Sequence, residues 1–266
     1  MNGDTNREQL PSMSEAPVEL RAMPIVGMGE IRAGDSLAEK LVEAVRRRGL
    51  QFVERDVVVV KHKVVSKAEG RMVPLRSVKP RPEATEWASQ YNLDARVIEL
   101  ALRESKRIVR QQQGVLITET RHGLVCANSG VDVSNVDGGA SAALLPEDPD
   151  GSAEEIRQIV QQQTGISVGV IISDSFGRPW REGLCEAAIG IAGFLPVRDY
   201  RGQKDSHGYT LHSSMEAVAD ELACVAGLVC GKLSDTPACI IRGFSYEAGR
   251  GRASDMVRAS ERDLFR

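Results

Sequence analysis

The stretch Asp56-Val57-Val58-Val59-Val60-Lys61-His62-Lys63-Val64-Val65-Ser66-Lys67 joins four consecutive valines to a cluster of cations. β-Branched side chains favour extended backbone, and an apolar run of this length predicts a buried strand. Lysines held on rigid backbone beside such a strand could neutralise phosphate charge. A run of charges is more often a solvated face, but Lys63 and Ser66 interrupt a stretch that would otherwise stay apolar. This interruption favours a binding site after the strand.

The segments around this strand mix helix and strand patterns. Ser36-Leu-Ala-Glu39 has the form of a capping box and predicts a helix that ends near Gly49. Other predicted helices cover 83–112 in two pieces and follow the capping boxes at 152–155 and 213–216; other predicted strands cover 115–118, 124–127, 168–172 and 238–241. Because no regular βαβ repeat connects them, we expect an α+β fold with mixed helices and sheets.

No Gly-, Ser- or Pro-rich linker divides the middle of the chain, which predicts a single functional domain. We expect residues 1–22 to form a mobile polar tail, 23–250 the domain and 251–266 a C-terminal tail. The tail contains no apolar run typical of a signal peptide, and no stretch reaches the ~20 apolar residues of a membrane span. We therefore expect a cytoplasmic protein without a membrane partner.

Composition excludes some function classes. Lys and Arg total 34 against 37 Asp and Glu, and aromatic residues make up only 4%, so neither a basic face nor a base-stacking surface is indicated. We therefore expect no nucleic-acid partner. The five cysteines show no CxxC spacing, which predicts reduced, mostly buried thiols rather than a zinc site. The pattern points to a protein that acts on small molecules.

A second candidate site lies directly after the predicted strand at 168–172. Ser173, Asp174 and Ser175 follow it directly, and Gly177 and Arg178 come next. A carboxylate and a hydroxyl in this position suit Mg²⁺ or Mn²⁺ whose remaining ligands are phosphate oxygens. An ordinary exit from a strand into a loop would look the same. Both interpretations stay open on these residues alone.

A third candidate site is Asn128-Ser-Gly-Val-Asp132-Val-Ser134-Asn135. Its carboxylate between small residues and amides suits a hard cation, and Asn135 could bond a nucleotide oxygen. The same residue types are the usual turn formers, so a turn is the simpler interpretation of this segment by itself.

Common nucleotide-binding and hydrolase motifs are missing. Gly27-Met-Gly29 does not continue into the dinucleotide fingerprint, because Glu-Ile-Arg-Ala precedes Gly34. The chain contains neither the GxxxxGK[ST] of a P-loop nor the GxSxG of a nucleophile elbow. A nucleotide site here would have to use another architecture.

Seven ordered motifs between about Pro24 and Arg242 together resemble one family. They are Lys63-Val-Val-Ser-Lys-Ala-Glu-Gly-Arg71; Glu119-Thr-Arg-His-Gly with Cys126-Ala-Asn-Ser-Gly-Val-Asp-Val-Ser-Asn135; Leu145-Pro-Glu-Asp-Pro-Asp150; Asp174-Ser-Phe-Gly-Arg-Pro-Trp-Arg181; Ala187-Ala-Ile-Gly-Ile-Ala-Gly193; Asp199-Tyr-Arg-Gly202; and Val218-Ala-Asp-Glu221. This set resembles the coenzyme F420-0:L-glutamate ligases, also called gamma-glutamyl ligases.

The resemblance implies the fold of these ligases, an intertwined homodimer, and a GTP-dependent reaction. The enzyme would add L-glutamate to the F420-0 deazaflavin precursor through an acyl phosphate, with Mg²⁺ or Mn²⁺ and, as a helper, K⁺. The implied catalytic residues are Asp132, Asp174 and Lys67, and the implied metal ligands are Asp132, Asp174 and Ser175. The implied nucleotide-binding residues are Met28, Gly29, Glu30, Ile31, His62, Lys63, Lys67, Asn135, Cys230, Gly231, Lys232, Leu233, Ser234, Asp235 and Thr236.

Two departures from the family pattern keep alternatives open. Ser175 replaces the usual threonine and keeps its hydroxyl, whereas Lys232 stands where some relatives carry an acidic residue implied to touch metal. One alternative is a non-catalytic nucleotide-binding relative. Another is a ligase of the same mechanism that acts on a different carboxylate.

Overall fold

The computed structural model describes residues 19–134 and 136–264 of the chain. The helices are α1 Leu37–Arg47, α2 His62–Ala68, α3 Pro82–Tyr91, α4 Ala95–Glu104, α5 Pro149–Thr164 and α6 Val218–Cys230. The strands are β1 Arg21–Ile25, β2 Val57–Lys61, β3 Met72–Pro74, β4 Ser105–Gln112, β5 Val115–Thr120, β6 Val125–Ala127, β7 Ser141–Ala143, β8 Gly169–Arg178, β9 Arg181–Ala192, β10 Arg198–Asp199, β11 Met215–Glu216 and β12 Ala238–Arg242. Short 3₁₀ turns cover Leu75–Ser77, Asn128–Gly130, Asp137–Gly139, Ala253–Met256 and Ser260–Arg262.

The centre of the protein is a five-stranded sheet in the order β1-β12-β2-β8-β9. Only β2 and β8 run parallel, and the other neighbours are antiparallel. Alternate residues of β2 face opposite sides of the sheet, so Val58 and Val60 pack on one core and Val57 and Val59 on another. Helices α1 and α5 cover the first face, whereas α6 covers the second. The valine run is therefore buried on both faces, as its sequence predicts.

Smaller sheets and a separate apolar cluster flank this centre. Strands β4, β5 and β6 form an antiparallel sheet, and helices α3 and α4 bury Trp87, Ile98 and Leu100 beside Leu116 of β5. Strands β3 and β7 make a two-stranded ladder, and β10 and β11 make another. The mixed helices and several sheets confirm the predicted α+β class.

The prediction of helix over 83–112 is wrong for residues 105–112. Helix α4 ends at Glu104, and Ser105 takes an extended conformation with φ −86° and ψ 142°. Residues 105–112 then form β4, which pairs with β5 across 115–120. Lys, Arg and Gln favour helices in isolation, but pairing with a neighbouring strand overrides this weak preference. The predicted strands at 115–118, 124–127, 168–172 and 238–241 all correspond to observed strands.

Of the three predicted capping boxes, only the first begins its helix. The hydroxyl of Ser36 accepts a hydrogen bond from the Glu39 amide and starts α1. Helix α5 starts earlier than predicted, because Asp148 caps it by accepting from Gly151 N–H and Pro149 occupies the first turn. At 213–216 the prediction is wrong, since Met215–Glu216 belong to β11 and α6 starts at Val218.

The ends of the described chain belong to the fold. Strand β1 starts at Arg21, two residues before the expected domain boundary, and pairs with β12 along its whole length. Beyond residue 250, Ala253 is buried against the α6 side of the central sheet. All five cysteines are free thiols. Among the residues described, no helix has both the length and the apolar character needed to cross a membrane.

Candidate active site

Four segments meet at one edge of the central sheet because of how its strands are ordered. Strand β1 ends at Ile25 beside Ala238, the first residue of β12. The Lys61 amide at the end of β2 donates to the carbonyl of Pro237, just before β12, over 2.8 Å. Parallel pairing sets Lys61 opposite Ser173 of β8. The loop at 27–31, the start of α2, residues 173–175 and the loop at 231–237 therefore share this edge.

These segments enclose a cavity of about 590 Å³. Its lining includes most of the residues that the sequence assigned to a site: Met28, Gly29, Glu30, Ile31, His62, Lys63, Lys67, Asp132, Asp174, Ser175, Gly231, Lys232, Asp235 and Thr236. Residues separated by more than two hundred positions in the chain thus face one space. A volume of this size is in the range of small-molecule sites.

Three of the four lysines that line the cavity, all on β2 or α2, differ in their partners. The ammonium of Lys61 lies 2.5 Å from the Glu186 carboxylate, and that of Lys63 lies 2.7 Å from Asp132. Lys67, on the next turn of α2, makes no ion pair with any residue that the structure describes. The position of Lys67 on the cavity wall makes it a cation that can meet an incoming anion without breaking an existing pair.

The loop that carries Asp132 is anchored on two sides. Residues 128–130 all have positive φ, and the buried Ser129 side chain donates to the Ala101 carbonyl over 2.7 Å. Asp132 and Ala143 exchange backbone hydrogen bonds of 3.0 and 2.8 Å, which tie the loop to β7. A Cβ on Gly130 would lie 2.7 Å from the Leu145 side chain, so this turn needs glycine. The anchoring fixes the direction of the Asp132 carboxylate.

Asp132 is both a turn residue and a cavity residue. Its carboxylate accepts from the Ser134 amide over 2.7 Å and from the Ser134 hydroxyl over 3.0 Å, as in a local Asx turn. Burial raises the pKa of Asp132, but the hydrogen bonds from Lys63 and Ser134 outweigh burial and leave it below its ordinary value. The carboxyl group is therefore ionised at neutral pH, as a cation ligand requires.

Asp174 projects from β8 towards the cavity beside a buried histidine. Its side chain is 14% exposed, and its Oδ1 lies 3.2 Å from Nε2 of His62. Nε2 of His62 is buried and makes no hydrogen bond of good geometry with any described residue. It is therefore close to the carboxylate but remains an unsatisfied polar atom. The other ring nitrogen, Nδ1, lies 3.4 Å from the hydroxyl of Ser66. The neighbouring Ser175 hydroxyl donates to Glu186 over 2.9 Å.

The oxygen atoms at this site suit a divalent cation that is bound partly by the protein and partly by phosphate oxygens. Asp132, Asp174 and Ser175 all present oxygen to one cavity, and Mg²⁺ and Mn²⁺ prefer oxygen ligands. Within residues 19–134 and 136–264, no three His, Cys, Asp or Glu side chains form a group that could hold a metal by themselves. The residues therefore fit a cation completed by substrate oxygens and water, not a closed protein cage.

Some predicted nucleotide-binding residues do not line the cavity. The Cys230 thiol is buried and donates to the Ala238 carbonyl. The Ser234 hydroxyl donates to the Cys230 carbonyl, so both side chains stabilise the conformation of the loop at 231–237. Leu233 is 92% exposed. Asn135 lies outside the described residues.

Lys61, Ser173, Leu184 and Glu186 also belong to the site: the first two lie in candidate segments of the sequence without an assigned role, whereas sequence reasoning missed Leu184 and Glu186. The first three line the cavity, and Glu186 accepts hydrogen bonds from its wall. Lys61 and Ser173 stand next to predicted site residues, so their position at two strand ends was the available signal. Glu186 gave no such signal, because β9 was not predicted.

Fold and site together define a class: a mixed α+β protein with a cavity, lined by lysines and carboxylates, at the edge of its central sheet. A family model described as F420-0:gamma-glutamyl ligase matches residues 26–243, and the chain belongs to this family. The chain is 42% identical over 252 residues to the coenzyme F420:L-glutamate ligase of Methanothermobacter thermautotrophicus, covering 94% of this chain and 98% of the relative. The same-named protein of Methanopyrus kandleri is also 42% identical, with 93% and 98% covered. That of Methanocaldococcus jannaschii is 43% identical over 212 residues, covering 79% and 84%.

Proposed function

We propose that this protein is a coenzyme F420:L-glutamate ligase that uses GTP to attach L-glutamate to the F420-0 deazaflavin precursor. The observation that carries the proposal is the convergence of Lys63, Lys67, Asp132 and Asp174 in one cavity of a chain from this family. The cations suit a triphosphate, and the carboxylates suit the divalent cation that accompanies it.

The reaction requires activation of a carboxylate, because oxide is a very poor leaving group. In the first step, a carboxylate oxygen of the precursor attacks the γ-phosphorus of GTP. The bond from this phosphorus to the bridging oxygen breaks, GDP leaves, and an acyl phosphate forms. In the second step, the glutamate amine attacks the acyl carbon, the bond from carbon to the phosphate oxygen breaks, and phosphate leaves. The nitrogen loses a proton as the amide forms.

Lys67 and Lys63 would hold the phosphates and offset the negative charge that develops during transfer. Lys67 has no carboxylate partner among the described residues, so it can turn to the γ-phosphate at no cost in broken pairs. Lys63 is held by Asp132 and by the Ser134 hydroxyl, at 2.9 Å, which keeps its ammonium at one place on the wall. We expect the guanosine part to lie between the loops at 27–31 and 231–236.

Asp132, Asp174 and Ser175 would hold the divalent cation in this proposal. When bound, Mg²⁺ or Mn²⁺ supplies positive charge to the phosphate oxygens, and K⁺ would act as a further helper cation. Nε2 of His62 lies 3.2 Å from Oδ1 of Asp174 and restricts the orientation of that carboxylate. The cavity walls would exclude water and so protect the acyl phosphate from hydrolysis.

We also propose that the protein works as a homodimer. Trp180, between β8 and β9, is 82% exposed, and Leu184 beside it is also exposed while lining the cavity. A second copy packed on this hairpin would cover apolar surface and border the active site. Sedimentation velocity should give a dimer, and a monomer with full activity would contradict this arrangement.

The experiment for the proposed function is the substitution Asp174→Asn. The amide keeps the shape of the side chain but removes its charge, so the cation and the transferred phosphoryl group lose a ligand. We expect normal folding and at least ~100-fold slower GDP formation in the presence of Mn²⁺, glutamate and F420-0. Glu86→Gln, an exposed substitution on α3 outside the cavity lining, should keep the wild-type rate. Wild-type turnover in Asp174→Asn would refute the assignment of Asp174.

A further inference from the structure

Glu186 on β9 is a buried carboxylate with three side-chain donors. Lys61 Nζ lies 2.5 Å and Ser175 Oγ 2.9 Å from its Oε1, and Ser173 Oγ lies 3.0 Å from its Oε2. The Glu186 side chain is only 9% exposed. A carboxylate accepts but cannot donate, so all three partners must point their hydrogens at it.

The three donors form part of the cavity wall, whereas Glu186 lies behind them. Ser173 and Ser175 are two residues apart on β8, and alternation along a strand puts their side chains on the same face. Antiparallel pairing places Glu186 directly opposite Ser175, and parallel pairing places Lys61 opposite Ser173. The register of three adjacent strands therefore gathers these groups around one carboxylate.

Glu186 fixes the direction in which each donor faces the cavity. A serine hydroxyl has one proton, so the hydroxyl of Ser175 that donates to Glu186 keeps its lone pairs for a ligand on the other side. The ammonium of Lys61 has three protons and uses one here, which leaves two for another acceptor. Without Glu186, both hydroxyls could rotate and donate into the cavity.

Helix α6 holds Glu186 in this position from behind. A Cβ added to Gly227 would lie 2.5 Å from Cγ of Glu186, so only glycine lets the helix approach this closely. The Cys224 thiol, one helical turn earlier, donates to the Glu186 carbonyl over 3.3 Å. Glycine inside a helix costs about 1 kcal/mol relative to alanine, and the close approach to Glu186 accounts for its presence here.

We infer that Glu186 is a positioning residue for the nucleotide site, which orients the hydroxyl of Ser175 towards a divalent cation and the ammonium of Lys61 towards phosphate oxygens. Gly227 provides the space that Glu186 occupies. The inference rests on the proposed function, since it deepens the role of the same cavity. It adds Lys61 to the phosphate-binding residues.

The test compares Glu186→Gln with the wild type in Mn²⁺ binding, measured by the electron paramagnetic resonance signal of free Mn²⁺ in the presence of GDP. The NH2 group of glutamine donates and cannot accept, so either Ser173 alone or Lys61 and Ser175 together lose their acceptor, according to which way the amide faces. In both orientations Lys61 loses its counter-charge. We expect about tenfold to hundredfold weaker Mn²⁺ binding, the range for hydrogen bonds to charged groups. The KM for GTP should rise, and saturating Mn²⁺ should restore most of kcat. Glu86→Gln, at an exposed position of α3 that does not line the cavity, is the control.

A second variant, Gly227→Ala, moves Glu186 without changing its chemistry. The residue has ordinary helical backbone, so alanine fits the helix itself, but its Cβ displaces the Glu186 side chain. We expect weaker Mn²⁺ binding in the same direction, whereas Leu228→Ala, at the next and 86% exposed position, should bind Mn²⁺ normally. If Glu186→Gln does not fold, the Mn²⁺ affinity of Gly227→Ala decides.

The outcomes separate the inference from the proposed function. Unchanged Mn²⁺ affinity and unchanged KM for GTP in folded Glu186→Gln would overturn the inference, even if the wild type makes product. A wild type that binds Mn²⁺ and GDP but never forms a glutamyl product would overturn the proposed function. In that case, weaker Mn²⁺ binding by Glu186→Gln would still establish the positioning role at the metal and nucleotide site.

Discussion

Glu99 illustrates how single charges stabilise the smaller cluster of helices α3 and α4. Its side chain is 3% exposed and accepts from the amide and guanidinium of Arg81, at 3.0 and 2.9 Å, and from Arg103 at 2.7 Å. Burial alone would raise the pKa of Glu99, but these hydrogen bonds outweigh it and hold the pKa at about 2. The start of α3 is thereby tied to the middle of α4.

The substitution Glu99→Gln should make stability depend less on pH. The pKa of Glu99 is lower in the folded than in the unfolded protein, so its contribution is complete above pH ~4.5 and disappears as the pH falls towards 2. We expect a loss of about 1–3 kcal/mol in the free energy of unfolding at pH 7, because both arginine partners are half exposed and solvent screening reduces the ~1.4 kcal/mol that one pKa unit would otherwise give. The difference in the free energy of unfolding between Glu99→Gln and the wild type should shrink between pH 4.5 and 2. Urea unfolding at several pH values measures this difference.

Glu86→Gln, an exposed substitution on α3, is the control for this experiment and should change stability little at any pH. A stability difference between Glu99→Gln and the wild type that stays constant down to pH 2 would contradict the depressed pKa.

Site residues next to strand ends could be predicted from the sequence, but the residues that hold them in position from outside the cavity could not. Asp174, Ser175 and Lys67 follow apolar runs and do line the cavity. Glu186 stands 125 positions from Lys61 along the chain, and only the strand register brings the two side chains together. Local pattern carries no information about such pairing, since the partner depends on which strands are neighbours.

At the level of the elements, the start of α5 depends on a side chain that the capping-box pattern did not select. Asp148 accepts from the Gly151 amide over 3.0 Å, and Pro149 follows it in the first turn, where its missing N–H is no loss. Ser152 instead donates to Glu69 on the loop after α2. The Ser152 hydroxyl therefore connects two elements rather than capping one.

Asp148→Ala should destabilise the protein by about 1 kcal/mol, because the first turn of α5 loses its cap. Asp148→Asn should be close to the wild type, since the asparagine oxygen can cap as well. Thermal unfolding followed by circular dichroism compares the three proteins. Equal stability of the alanine and asparagine variants would mean that Asp148 does not cap α5.

Elements whose own residues dictate them could be predicted from the sequence. The valine run of β2 and the amphipathic stripe of α1 need no distant partner to be recognised. Strands β4 and β9 were missed for the opposite reason. The exposed Lys, Arg and Gln of β4 and the glycine- and alanine-rich end of β9 become strands only through pairing with β5 and β8.

The molecule as a whole makes its cavity by long-range pairing. Antiparallel β1, β12 and β2 bring the loops near both ends of the chain together, and parallel β2 and β8 add the centre of the chain to the same edge. The Asp132 loop arrives from the β3-β7 ladder. The site draws residues from several distant segments, so the proposed activity depends on the whole fold.

The measurement that tests the central claim most directly is the mass of the product. Purified protein would be incubated with GTP, Mn²⁺, L-glutamate and F420-0, and the deazaflavin analysed by mass spectrometry alongside phosphate release. We expect a gain of one or more glutamyl units that requires both glutamate and GTP, with one phosphate released per unit added. Binding of GTP with no gain in mass would contradict the assignment as a coenzyme F420:L-glutamate ligase.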